Sequence, residues 1–331
     1  MHNKSVASSE NQMSAPPLRY DWSTGEILKI YELPLLDLLY KAHTVHKKCN
    51  NNSKMQLASL LNIKTGSCPE DCKYCSQSAH YAKTTNLKSE KLMELDSVIK
   101  QARIAKSKGA ARFCIGAAWR NIPDDKSFQT VLKIVKEIRS LKMEACATLG
   151  MLNESQAKDL AEAGLTAYNH NLDTSPEFYG KIISTRKYAD RLKTIENVRS
   201  AGITVCSGGI IGLGETKIDR IGLIKSLAKL KPHPESIPIN TLVPIKGTPL
   251  EQNKPVRPID LVRLIATTRI VMPKSRIRLS AGRSNLSEEA QVMCFFAGAN
   301  SIFYGEKLLT TENNIEDEDL KLLEDIGIEH E

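Results

Sequence analysis

Residues 111–150 read ARFCIGAAWRNIPDDKSFQTVLKIVKEIRSLKMEACATLG. An extended run (111–118), a proline-bearing loop, an amphipathic stretch (127–142) and a second extended run (143–150) follow one another. That is a strand–helix–strand unit, and it predicts two parallel neighbours, because a helical crossover lets both strands run the same way. The pattern recurs on both sides. Upstream lie a strand candidate at 59–66 and a helix candidate at 91–109. Downstream, strand candidates at 167–173, 204–212, 236–243, 276–282 and 301–305 alternate with helices such as 154–164 and 188–202. Gly109, Gly164 and Gly202 stand where helices stop.

Eight such alternations predict an α/β chain folded as a closed (β/α)8 TIM-type barrel, with a doubly wound open sheet as the competing arrangement. The expected division is a disordered polar lead-in at 1–26 and an N-terminal helical cap at 27–56. The barrel then spans 57–309, and a C-terminal loop with a short acidic helix spans 310–331.

The 331 residues are 41% hydrophobic and 25% charged, as in ordinary globular proteins. The net charge of +8 is dispersed, and runs such as Lys47-Lys48 and Arg276-Ile-Arg278 are short. A nucleic-acid surface would want a clustered basic stripe with stacking aromatics, and only 5% of residues are aromatic. No stretch approaches the roughly 20 apolar residues of a membrane span. The first residues carry no apolar signal core. A cytoplasmic protein with no membrane or nucleic-acid partner is expected.

Strand side chains alternate between two faces. Arg112, Cys114 and Gly116 share one parity, as do Glu144, Cys146 and Thr148, then Asn169, Asn171 and Asp173, and Arg276, Arg278 and Ser280. The opposite parity is apolar (Phe113, Ile115 and Ala117; Ile237, Ile239 and Val243, across from Asn240; Ile277, Leu279 and Ala281) and must face the helices. The polar parity must face the barrel axis. Buried polar groups are costly unless paired or bound, so the interior is expected to be a site.

Cys68-Pro-Glu-Asp-Cys72-Lys-Tyr-Cys75 follows the first strand and so falls at the C-terminal mouth, where sites sit in this fold. Three closely spaced thiolates suit three irons of a four-iron cluster. A zinc site would want a fourth ligand, for which His80 is nearby. A disulfide is disfavoured in a reducing compartment. Cys114, Cys146 and Cys206 lie on the inward parity of different strands, at comparable heights. Buried cysteines as small apolar fillers are the alternative reading. For Arg278 the ordinary role is pairing with Glu144 or Asp173. Cys49 and Cys294 fall outside both groups.

The C-x3-C-x2-C spacing with Tyr74 before the third cysteine resembles the radical S-adenosylmethionine superfamily. That implies a [4Fe–4S] cluster on Cys68, Cys72 and Cys75 whose open iron chelates S-adenosylmethionine. KTGSCPEDCKYCSQSAHY, RFCIGAAWR, EACATLG, YNHNLDTSPEFY, CSGGIIGLGE, PINTLVPIKGTPL, RLSAGR and AGANSIFYG, in order from about Leu33 to Thr311, closely resemble the biotin synthase family. The resemblance implies a [2Fe–2S] cluster on Cys114, Cys146, Cys206 and Arg278, and radical insertion of sulfur between C6 and C9 of dethiobiotin with no side chain as acid or base. It also implies a reduced flavodoxin- or ferredoxin-type electron donor, iron–sulfur assembly machinery and a homodimer. Another sulfur-inserting radical family, lipoyl synthase, would want a second cysteine cluster near the N-terminus, where only Cys49 precedes Cys68.

With the resemblance, Asn171 and Asp173 suit the ribose, Asn169 the ureido ring of dethiobiotin, and Asn171 and Asn240 the substrate. Tyr74 and the backbone of Gly116, Ala117, Gly208, Gly209, Ile210, Gly212 and Glu215 are candidates for the adenine and methionine moieties. Thr310 and Thr311 are candidates for the substrate carboxylate.

Overall fold

The computed structural model describes residues 16–50, 54–305, 313 and 316–331. Nine parallel segments form one sheet: β1 (Gln56–Lys64), β2 (Arg112–Ala117), β3 (Glu144–Thr148), β4 (Ala167–Asn169), β5 (Thr204–Cys206), β6 (Gly209–Ile211), β7 (Ser236–Thr241), β8 (Arg276–Leu279) and β9 (Ser301–Phe303). Their order is β5-β4-β3-β2-β1-β9-β8-β7-β6, and a further β5–β7 pairing closes the ring.

The nine segments make eight staves. The single strand expected at 204–212 is split into β5 and β6, one bonded to β4 and the other to β7. Pro238 explains the break. Ser207 N donates to Ser236 O, and the next rung would need an N–H at position 238, which proline lacks. The chain also comes so close to β7 that a Cβ on Gly208 would lie 1.9 Å from the Pro238 carbonyl oxygen.

The helices form the outer layer. In the helix Lys126–Ser140, Phe128, Val131, Ile134, Val135 and Ile138 are buried, the stripe that a 3.6-residue period presents to a sheet. The apolar strand parity meets them: Phe113, Ile115, Ala145, Ala147, Ile237, Ile277 and Leu279 belong to the main core.

Helix Thr24–Tyr31 begins three residues before the expected boundary at 27, started by a capping box between Ser23 and Glu26. Helix Leu35–Cys49 follows it, and Arg263 ties the connection by donating to the Tyr31 and Leu33 carbonyls. The C-terminal helix Glu316–Asp325 is fastened by a fully buried Arg283–Asp319 ion pair, and His330 then pairs beside Met55 ahead of β1. Among the described residues, no helix is long and apolar enough to cross a membrane.

Candidate functional site

The loop after β1 carries the first cysteine group. It is held from below by its own backbone, with Cys68 N donating to Gln77 O and Ala79 N to Cys68 O. It is held from the side by two acidic residues between the cysteines. Asp71 accepts from the Ser184 and Thr185 amides and hydroxyls. Burial opposes its charge, and these hydrogen bonds outweigh burial and hold the carboxyl at about 2. Glu70 is buried beside Arg120 and Arg186 and accepts from the Thr185 hydroxyl.

Cys72 is buried, and Cys68 and Cys75 are half-buried. Burial raises all three thiols, Cys75 to about 11, and on Cys68 and Cys72 it outweighs the opposing pull of the nearby Arg186 guanidinium. All eight cysteines are free. His80 does not complete the group: its ring is exposed and faces the Pro69 carbonyl. Among the described residues, no three His, Cys, Asp or Glu side chains converge as ligands of a single metal ion would. Three thiols spread around one loop fit a multi-iron cluster better than one ion.

Below this loop a cavity of about 320 Å³ opens along the barrel axis. Tyr74, Cys75, Asn169, Asn171, Asp173, Ile210 and Asn240 line it, with Cys114 and Cys146 on its wall. Val243 and Ala281 also line it, although strand parity put them outside; both lie past the ends of their strands, where alternation no longer governs direction.

Asp173 sits at φ +65°, a left-handed position that Asp tolerates better than bulkier residues. Its carboxylate accepts from the Tyr74 hydroxyl at 2.8 Å and pairs with Arg191. Arg191 also donates to the Asn171 carbonyl at 2.6 Å and the Tyr179 hydroxyl at 2.8 Å. One buried guanidinium thus organises the end of β4 and, through Tyr74, the cysteine loop. Sequence reasoning missed it. The signal was present: Arg191, Thr194, Ile195 and Val198 share one buried helix face, where a charge is unexpected.

The second cysteine group sits on the staves themselves. Cys114 and Cys146 are register partners on β2 and β3, and Cys206 ends β5. All three are buried. The mutual influence of the neighbouring thiols lowers Cys114 and raises Cys206 and, to about 12, Cys146. Asn169 Nδ2 donates to Cys206 Sγ at 3.4 Å, and Arg278 Nη1 lies 4.0 Å from the same sulfur.

Arg278 has neither carboxylate expected of it. Glu144 pairs with Arg112 and Asp173 with Arg191. Among the described residues, one buried nitrogen of Arg112, Nη1, has no hydrogen-bond partner. Three buried thiols facing two buried guanidiniums suit an anionic sulfur-rich group, so the residues fit a cluster here.

Other candidates take different places. Gly116 and Ala117 are in β2 near the mouth, and Gly212 lies at the turn after β6. Cβ atoms on Gly208 and Gly209 would meet Pro238, Leu223 and Asp173, so these glycines serve the packing of the staves. Both Glu215 oxygens accept from Gly212 N, and one accepts from Arg220; this residue locks a turn and does not reach the cavity. Asn240 bridges staves, donating to Gly209 O and accepting from Ala281 N. Thr310 and Thr311 lie outside the described residues.

The chain matches the Radical SAM superfamily over residues 62–227 and the Biotin and Thiamin Synthesis associated domain over 238–329. It is 60% identical to the biotin synthase of Methylorubrum populi over 311 residues, 94% of this chain and 91% of the relative. It is 56% identical to the biotin synthase of Myxococcus xanthus over 339 aligned positions, 99% and 97% of the two chains. Among solved structures it resembles methylornithine synthase (TM-score 0.78, 16% identity, 93% of this chain and 94% of that one). It likewise resembles the FeFe-hydrogenase maturase of Carboxydothermus hydrogenoformans (TM-score 0.78, 18% identity, 93% and 75%). The two structures bear on fold alone.

Proposed function

This chain belongs to the biotin synthase family of the radical S-adenosylmethionine superfamily, and we propose that its barrel divides that chemistry between two cysteine sites, one at the mouth and one inside. Cys68, Cys72 and Cys75 hold a [4Fe–4S] cluster; Cys114, Cys146, Cys206 and Arg278 hold a [2Fe–2S] cluster. When bound, the first cluster supplies the electron that splits S-adenosylmethionine, and the second supplies the sulfur that joins C6 and C9 of dethiobiotin.

The residues of the chain bind, orient and exclude water. Asp173, fixed by Arg191 and Tyr74, presents its carboxylate to the ribose hydroxyls. Asn171 lies beside it, with its side-chain oxygen accepting from Gly208 N at 3.1 Å. Ile210 and Tyr74 offer the adenine apolar surface, and Gly116 and Ala117 the methionyl group backbone. Asn169, between the cavity and Cys206, reaches the ureido ring, and Asn240 the rest of dethiobiotin. The barrel walls limit the approach of water and free thiols to a reactive radical and hold its target close. No side chain need act as acid or base. Reduction by a flavodoxin- or ferredoxin-type donor, service by iron–sulfur assembly machinery, a homodimeric state and a cytoplasmic location complete the proposal.

The observation that carries this reading is the alignment of one cavity with two cysteine groups, one on its rim and one on its wall. The test is anaerobic reconstitution with iron and sulfide, then addition of S-adenosylmethionine, reductant and dethiobiotin. Biotin with 5′-deoxyadenosine is the expected product set. Bound zinc without sulfur-to-iron absorption overturns it.

A further inference from the structure

Beneath the inner cysteines lies a polar network that the cavity does not reach. Gln56 on β1 is 2% exposed, and Arg278 and Ser301 are fully buried. Arg278 Nη2 donates to Gln56 Oε1 at 2.9 Å, and Arg278 Nε to Ser301 Oγ at 2.9 Å. Ser301 Oγ lies 3.3 Å from the same Gln56 oxygen and closes a triangle. The other end of the glutamine, Nε2, donates to Glu144 Oε2 at 3.0 Å, and that oxygen also accepts from Arg112 Nε at 2.7 Å. One amide therefore connects the two guanidiniums that face the cysteines.

The identity of that amide is informative. The network holds two guanidiniums and one carboxylate, and the carboxylate is spent on Arg112. Among the described residues, the oxygens that accept from Arg278 are neutral and its guanidinium lies over the Phe303 ring, so its charge is left for the thiolate side. A carboxylate at position 56 could still accept from Arg278 but would cancel that charge and would set its other oxygen against the Glu144 carboxylate. Nearby Arg276 does not change the count, because it pairs with Glu331.

We propose that Gln56 is a positioning residue for the inner site: a neutral bridge that aims Arg278 at Cys206 without neutralising it. The proposal rests on the [2Fe–2S] reading above. Groups that hydrogen-bond to metal ligands are typically worth about 10–100-fold in metal affinity. Net charge and hydrogen bonding at the sulfurs set cluster potentials.

The test uses the reconstituted full chain, with absorption of the second cluster followed during chelator challenge and its reduction potential measured by titration. Iron at Cys68, Cys72 and Cys75 serves as internal reference. Gln56→Glu is expected to lose the second cluster about tenfold faster and to shift its potential negative. Glu144→Gln, which removes the carboxylate that Gln56 and Arg112 share, is expected to shift it positive. Gln56→Met, which adds no charge, is expected to lose the cluster about tenfold faster and covers the case in which the charged variant fails to fold. Potentials that stay at the wild-type value in both charge variants, or move the same way, overturn the proposal. So does wild-type retention in Gln56→Met. A wild-type chain that takes up only the first cluster overturns the two-site reading, and the proposal with it, and is distinguished by its iron content.

Discussion

The two cysteine groups are built in opposite ways. Cys68, Cys72 and Cys75 sit on one irregular loop, within eight residues of each other, and are held by side chains borrowed from elsewhere: Ser184, Thr185, Arg120 and Arg186. Cys114, Cys146 and Cys206 are spread over 93 residues and are held by the hydrogen-bond ladder of the sheet. A loop can keep one side of a cluster open to a small molecule at the rim. A ring of staves encloses its guest. On the two-cluster proposal, the difference suits the mouth site to exchange and the inner site to containment.

The harshest way to break this contrast is to remove one cysteine from each group. Cys72→Ala should abolish iron binding at the mouth, and with it S-adenosylmethionine cleavage and all product, read as 5′-deoxyadenosine and iron per chain. Cys146→Ala should abolish biotin formation while the mouth cluster and some S-adenosylmethionine cleavage persist. If Cys146→Ala empties the mouth instead, the two groups are not independent and the partition fails.

The contrast also explains what was legible in the sequence. The mouth triad is covalently local, so spacing alone exposes it. The inner ring is readable because side chains alternate along strands: the parity of Arg112, Cys114 and Glu144, Cys146 held in the structure. What failed to show was pairing in three dimensions. For Arg278 taken alone the ordinary role was pairing with Glu144 or Asp173, and the partners it has, Gln56 and Ser301, come from two other staves. The break in the fifth stave depends on Pro238, a residue of a different strand, so no reading of 204–212 alone finds it. The glycines of 208–212 suggested ligand approach, yet at Gly208 and Gly209 the crowding comes from the protein itself.

A subtler test asks how far the two sites are mechanically joined. Arg191 ties the mouth loop to the cavity wall, through Asp173 and Tyr74 on one side and the Asn171 carbonyl on the other. Arg191→Met would leave the Asp173 carboxylate buried without its counter-charge, at a cost of about 3–5 kcal/mol. Denaturant unfolding should show that loss, with weakened S-adenosylmethionine binding alongside it. Tyr74→Phe removes a single hydrogen bond to a charged group and should cost less, about 1.5–3 kcal/mol. If both variants are indifferent in stability, the link between loop and strand is not structural.

The smallest effect sharpens the contrast most, because it tests the loop's tether without touching a thiol. Asp71 ionises at about 2 in the folded chain, below the ordinary 3.8, because its hydrogen bonds with Ser184 and Thr185 favour the charged form. A depressed carboxyl contributes stability that is fully present above its unfolded value and is lost as pH falls through the folded one. The tether should therefore be intact above about pH 5 and fail progressively from about pH 4 towards pH 2. The group lies near solvent, so screening reduces its worth to about 1 kcal/mol. Asp71→Asn should be less stable than the wild type by that amount at neutral pH and should converge on it in acid. Since the inner ring depends on strand pairing and not on this carboxylate, limited proteolysis with an acid protease between about pH 4 and pH 2 should cut first within residues 66–81 and leave the staves protected. Cleavage that begins in the staves would show that the loop is no less firmly held than the sheet.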